Sequence, residues 1–444
     1  MNSILLLRPV RCLALLILTA SALVLISCGP DAAPSTKDGP VVVTFWHAMG
    51  RDHSIILTSI IREFEAENPD IRINAVYQGG YNSLLTNLIA SNTAGTAPVM
   101  SQMYESWTTR FLERNLVIPV EDLAEKHGGL TPEDRKDIVS VFLEDSTWNG
   151  RLVTLPFNKS AYVLFYNRDA MKEIGMTDSE GRGRPPETWS EFRKACSDLT
   201  VKSDDEVTRY GFGVRTQIES FTMFYFRTGG NYMNSDGSKL AFDNPEARES
   251  MSLLAEIVNV DHTGYVEPGY LSTAFGNEAI AMYTGTNASI PFVVKAVGDN
   301  FDWDTAPIPC PEGYEDKART LFQGTNVGIF RNHSPEKLEA AWRFLRFLTG
   351  TRSAAVWATG TGYLPIRYST IQTDIMRDYL AKNPRYQTSL VVLDNGAFEP
   401  RVITWEPMRN IITDNLEAAL NGRRSPEESV DTMLSRCQEI LDTF

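Results

Sequence analysis

Residues able to do chemistry are scattered along this chain in ways that exclude several mechanisms. The five histidines, His47, His53, His127, His262 and His333, never fall at the one- or four-residue spacing that aims two imidazoles at one metal. No G-x-S-x-G elbow and no Walker loop occurs, so neither a serine nucleophile nor a phosphate-cradling helix start is encoded. The stretch ATGTGYLPIR (358–367) has two glycines in loop spacing, but its helical pattern precedes them and Pro365 follows. A nucleotide loop feeds its amides into a following helix, so this order fails. Gly360 is expected to stop the helix and Gly362 to turn the backbone, presenting Tyr363 to a cleft. Carboxylates are abundant. Glu105 follows a strand pattern, which leaves a glycosidase pair as one alternative. The aromatics Trp46, Tyr77, Tyr81, Tyr104, Trp107, Trp148, Trp189, Tyr363 and Trp405 sit at predicted strand ends, helix starts and loops. Rings there offer flat faces for a sugar or polyol.

The elements that must hold these groups alternate. Val41–Trp46 is an apolar run suited to a strand, and Ile56, Ile60, Ile61 and Phe64 recur at helical spacing until Asn68-Pro69. Ile71, Ile73, Ala75 and Tyr77 alternate as a strand. Leu84, Leu85, Leu88 and Ile89 return to helical spacing, and Val99–Tyr104 suits a further strand. This order predicts an α/β protein with a largely parallel sheet. Thr188-Trp189-Ser190-Glu191 and Ser425-Pro426-Glu427-Glu428 read as capping boxes, and Ser334-Pro335 opens a helix ending before Gly350.

The first 27 residues carry an address. Arg8 and Arg11 precede 16 uncharged residues, Cys12 to Ser27, which end Leu25-Ile26-Ser27-Cys28. That run is shorter than the ~20 residues of a membrane-spanning helix, so residues 1–27 read as a secretory signal. The motif at its end resembles a lipoprotein cleavage site, with Cys28 as the lipid-bearing first residue of an exported protein. Residues 28–40, rich in Pro, Gly, Asp and Ser, form a flexible tether. Of the remaining cysteines, Cys196, Cys310 and Cys437 form no Cys-x-x-Cys pair and read as small buried hydrophobes. Removing two signal arginines takes the formal charge from −14 to −16, which argues against nucleic-acid partners.

Several stretches run in a recognisable order: VTFWHAM (43–49), FEAENPDIRI (64–73), GGYNSLL (79–85), GTAPVMSQMYE (95–105), LPFNKSAYVLFYNRDAM (155–171), PPETWSEF (185–192), GTGYLPI (360–366) and NIITDNLEAALNG (410–422). Together they resemble the extracellular solute-binding proteins of ATP-driven sugar importers, and within them the glycerol-3-phosphate-binding branch. The resemblance implies a two-lobed periplasmic-binding fold of type II with the ligand cleft between lobes. It implies three hinge crossings, placed near 156–160, 305–309 and 368–372. One lobe would hold 41–156 and 308–369, the other 160–305 and 371–444. The protein would be a non-enzymatic, cofactor-free monomer that hands its ligand to the transmembrane subunits of a permease. Carried over position by position, the site would comprise Tyr81, Glu105, Ser160, Trp189, Thr286, Gly324, Tyr363 and Arg401. Arg401 would fork onto phosphate oxygens, Glu105 accept from glycerol hydroxyls and Trp189 pack on the carbon chain. A glycerophosphodiester such as glycerophosphocholine suits the same groups. A neutral oligosaccharide and, from another class, hydrolysis through Glu105 are the alternatives.

Overall fold

The computed structural model describes residues 39–204 and 206–443; the signal, Cys28 and the tether up to residue 38 lie outside them. From Pro40 onward the chain forms one compact unit built on two main sheets. The first sheet runs Ile71–Tyr77, Val41–His47, Met100–Met103, Asn326–Phe330, Val117–Ile118, with Leu155–Pro156 also paired to Asn326–Phe330. The second runs Gly264–Glu267, Glu206–Arg215, Ile280–Thr286, Ser160–Asn167, Thr320–Gln323, Gly396–Ala397.

The first sheet begins as the alternation predicts. Val41–His47 is parallel to both Ile71–Tyr77 and Met100–Met103, and it buries Val43, Phe45 and His47 on one face. The helix Arg51–Glu67 covers it through Leu57, Ile60, Ile61 and Phe64 and ends at Asn68, whose amide and side chain both bond the Phe64 carbonyl. The sheets are mixed, however. Asn326–Phe330 joins the first sheet antiparallel, and Ser160–Asn167 lies antiparallel to its neighbours in the second. Each is the strand by which the chain enters the other sheet, so its direction is set by the crossing rather than by a βαβ unit.

The crossings differ in part from expectation. Leu155–Pro156 lies in the first sheet and Ser160–Asn167 in the second, so the chain passes between them over 157–159. The second passage lies at Gly324-Thr325, not at 305–309. Trp303–Ala306 and Thr320–Gln323 both pair with Ser160–Asn167, which keeps residues 308–323 with the second sheet. Further on, Tyr368 and Ile371 pack on the first core, Met376 and Tyr386 against the second sheet, and Val392 and Leu393 on the first core again. The region after 371 therefore weaves along the hinge instead of leaving it at once. The closing helices Trp405–Leu420 and Pro426–Leu441 pack in the second core.

Two local expectations need correction or refinement, and a third holds. Gly360 does not stop its helix: Thr351–Thr361 runs through it, where a side chain would meet Ile56 at 2.9 Å. The stop is Gly362, left-handed at φ +83°. The Ser425 box is complete, but the Thr188 box is half formed, because Glu191 turns to the Glu187 amide and to Arg184. Cys196, Cys310 and Cys437 are buried and, among the described residues, unpaired.

Candidate functional site

The first crossing builds the floor of a cleft. Asn158, fully buried, accepts from Gln102 (2.8 Å), from the Thr325 hydroxyl (2.5 Å) and from the Thr325 amide (3.3 Å). It donates to the Tyr81 hydroxyl at 2.9 Å. One amide thus ties the first sheet to both adjacent hinge strands. Gly324, at φ +104°, passes so close that a Cβ there would sit 1.8 Å from the Asn158 carbonyl oxygen. Only glycine fits that approach.

Next to it lies a sealed charge cluster. Lys159 is fully buried; its Nζ reaches Asp145 at 2.6 Å, the Gly324 carbonyl at 3.2 Å and Glu105 at 3.5 Å, and lies over the Phe398 ring. Asp145 also accepts from Asn326. Burial, with the Asp145 carboxylate beside it, pushes the Glu105 carboxyl up to about 8, and Lys159 only partly offsets this. Burial thus biases Glu105 towards its neutral form, in which a carboxyl donates as well as accepts.

Above this floor the two lobes enclose a cavity of about 560 Å³. On the first-lobe side Tyr81 opens the helix Tyr81–Thr93 and Glu105 opens Glu105–Glu113 at the carboxyl end of Met100–Met103. Tyr81, Tyr104 and Trp107 form an edge-to-face chain with centroids 5.1 Å apart at each step. Tyr363 lines the same cavity, its ring stacked on Trp357 and its carbonyl fixed by the Tyr386 hydroxyl. On the second-lobe side are Ser160, Tyr162, Thr286 and two arginines, Arg215 and Arg409. Arg409 bonds Glu219 at 2.6 Å and also Glu399. Burial opposes the charge of Glu219, but Arg409 and Gln323 outweigh it and hold that carboxyl below its usual range. Across the cleft, Glu406 accepts from Ser106 (2.9 Å) and from the Trp107 indole (3.0 Å), drawing the lobes together.

Of the expected residues, Tyr81, Glu105, Ser160, Thr286, Gly324 and Tyr363 converge on the cavity. Trp189 and Arg401 do not line it. Trp189 packs on the second core and its indole bonds the Pro309 carbonyl, which makes it a helix anchor. Arg401 spends its guanidinium on the carbonyls of Glu144 (2.8 Å) and Thr147 (2.9 Å), over the Trp148 ring. Its place in the wall is taken by Arg409, which sequence reading passed over. The clue was periodic: Arg409 shares a helical face with Trp405, Met408, Ile412 and Leu416, a position where a cation needs a buried partner. Arg215 carried no comparable mark beyond ending a strand. Among the described residues, no group of His, Cys, Asp and Glu could hold a metal ion.

The sequence matches the family described as bacterial extracellular solute-binding protein over residues 59–384. The chain belongs to that family. It is 27% identical over 438 residues to the sn-glycerol-3-phosphate-binding periplasmic protein UgpB of Shigella dysenteriae, covering 96% of this chain and 97% of that one, and to UgpB of Escherichia coli K12 to the same extent. In fold it resembles UgpB from Mycobacterium tuberculosis, solved with glycerophosphocholine, with TM-score 0.79, 23% identity and coverage of 91% and 99% of the two chains. It also resembles the sugar-binding protein MalE of Xanthomonas citri, with TM-score 0.77, 20% identity and coverage of 91% and 98%. The fold is thus the two-lobed periplasmic-binding architecture, and the chain is a solute-binding component of an ABC importer working outside the cytoplasm. These relatives are solute-binding proteins. No helix among the described residues is long and apolar enough to cross a membrane.

Proposed function

We propose that this receptor takes sn-glycerol-3-phosphate or a glycerophosphodiester and delivers it to its permease. The observation that carries the reading is the presence of two guanidinium groups, Arg215 and Arg409, in a cavity whose wall also offers hydroxyls, aromatic rings and carboxylates. A neutral sugar needs the rings and hydroxyls but no cation; an anionic ester needs all three. Tyr81, Ser160, Thr286 and Tyr363 supply hydroxyls and Gly324 backbone. Glu105, biased by burial towards its neutral form, exchanges hydrogen bonds with a polyol. The wall also holds Glu219, Glu399 and Glu406, an acidic excess that suits a diester bearing a cationic group, with Trp107 and Trp405 as partners for that cation.

A neutral oligosaccharide is the second reading, and the chain of rings from Tyr81 to Trp107 favours it. Hydrolysis is not proposed, because Asp145, the carboxylate beside Glu105, is committed to Lys159. Calorimetric titration with glycerol-3-phosphate, glycerophosphocholine and maltotriose separates the readings. Heat from either phosphate ester supports the first, and heat from maltotriose alone overturns it. We place the mature protein as a monomer on the membrane through a lipid on Cys28. Cys28→Ser is expected to release it from membranes into the soluble fraction, and continued membrane retention would refute the anchor.

A further inference from the structure

The two cleft arginines are not equivalent. Arg409 is already neutralised by Glu219 and Glu399 before any ligand arrives. Arg215, at the carboxyl end of Glu206–Arg215, lines the same cavity with no ion-pair partner among the described residues. Among the described residues no carboxylate oxygen comes within 4.0 Å of its guanidinium, and its Nε is buried without an acceptor. The strand register even sets Glu267 beside it. That carboxylate is turned into its own loop, where it accepts from the Tyr265 hydroxyl and the Gly269 amide, both at 3.2 Å. Tyr270 stacks over the guanidinium at 4.9 Å yet remains 80% exposed, a ring left open beside an unspent cation.

A buried guanidinium donor without an acceptor is costly, and a fold retains such a group where something else completes it. We infer that Arg215 is the anion-recognising group of the cleft: it takes an anionic oxygen of the ligand, while Arg409 serves as the scaffold that holds Glu219 and Glu399. The inference rests on the phosphate-ester reading above and assigns its charge recognition to one residue. Arg215 donates through its fork, Thr284 and Thr286 on the adjoining strand end offer further hydroxyls, and Tyr270 folds over the bound group. Because Arg215 holds no ion pair among the described residues, losing it removes ligand contacts without stripping a partner.

Calorimetric titration of the full-length protein with glycerophosphocholine and glycerol-3-phosphate, on wild type, Arg215→Gln and Arg215→Lys, tests this. Arg215→Gln is expected to weaken ester binding at least about tenfold, the size of one charge-assisted contact. Lysine, which keeps the charge but loses the fork, should recover part of it. The melting temperature should stay near that of wild type. Ester affinity within twofold of wild type in Arg215→Gln overturns the inference and leaves the ester reading standing. A wild type that binds neither ester overturns both. If Arg215→Gln fails to fold, Arg215→Lys decides: weaker binding supports the role, and unchanged affinity refutes it.

Discussion

Two clusters of buried charge flank the cleft and are built from the same kinds of residue, yet they do different work. In the hinge, Lys159 sits between Asp145 and Glu105, fully sealed, with Asn326 and the Gly324 carbonyl filling the remaining donor and acceptor positions. In the second lobe, Arg409 sits between Glu219 and Glu399, but all three side chains also line the cavity. The first is a joint: it fixes two crossing strands at the point where the lobes must pivot. The second is a wall whose charges a ligand can feel. Buried ions are tolerated only when paired, so pairing alone does not mark a binding residue; access to the cavity does.

The comparison can be broken in order of expected effect. Lys159→Met leaves Asp145 buried without its cation and should cost about 3–5 kcal/mol of stability by urea unfolding; wild-type stability would show that the joint is not held by charge. Arg409→Gln leaves Glu219 and Glu399 uncompensated in the wall and should weaken ligand binding at least about tenfold, with a smaller fall in melting temperature. A variant that unfolds but binds normally when folded would move Arg409 into the joint class.

Glu105 touches both regions, and pH should expose it. Its folded-state pKa of about 8 lies above that of an unfolded glutamate, ~4.3. The folded protein therefore holds the extra proton between these values. The stability this group contributes is fully present below about 4.3 and is lost as pH rises through about 8. Glu105→Gln should thus be more stable than wild type at pH 9 by thermal melting, with the gap closing towards pH 5. A gap independent of pH would mean that Glu105 is already ionised at neutral pH. The smallest effects belong to Arg401→Ala and Trp189→Phe, where ligand affinity should stay within about threefold of wild type. A large affinity loss in Arg401→Ala at unchanged stability would restore that residue to the site.

Much of the first lobe was legible because its signals are short-range. Val41–His47, Arg51–Glu67, Ile71–Tyr77 and Tyr81–Thr93 follow from apolar spacing and from the Asn68-Pro69 stop. Tyr363 was legible as a presented ring, although the glycine responsible is Gly362 rather than Gly360. Arg401 misled because it lies only eight residues before Arg409, and nothing local says which of the two turns inward. Trp189 misled because a helix-opening tryptophan suits a core anchor as well as a cleft wall.

What the amino-acid order determined by itself was periodicity, turn chemistry and the segments that mark the family, since each depends on residues a few positions apart. Which arginine is spent and which is free, where the second crossing falls, and how far Glu105 is pushed towards its neutral form were decided only by the tertiary structure. Each depends on groups brought together from distant segments, as Gln323 and Arg409 meet Glu219, and Asp145 and Glu105 meet Lys159. Charge pairing and desolvation act through space, and the spacing of residues along the chain carries no record of either.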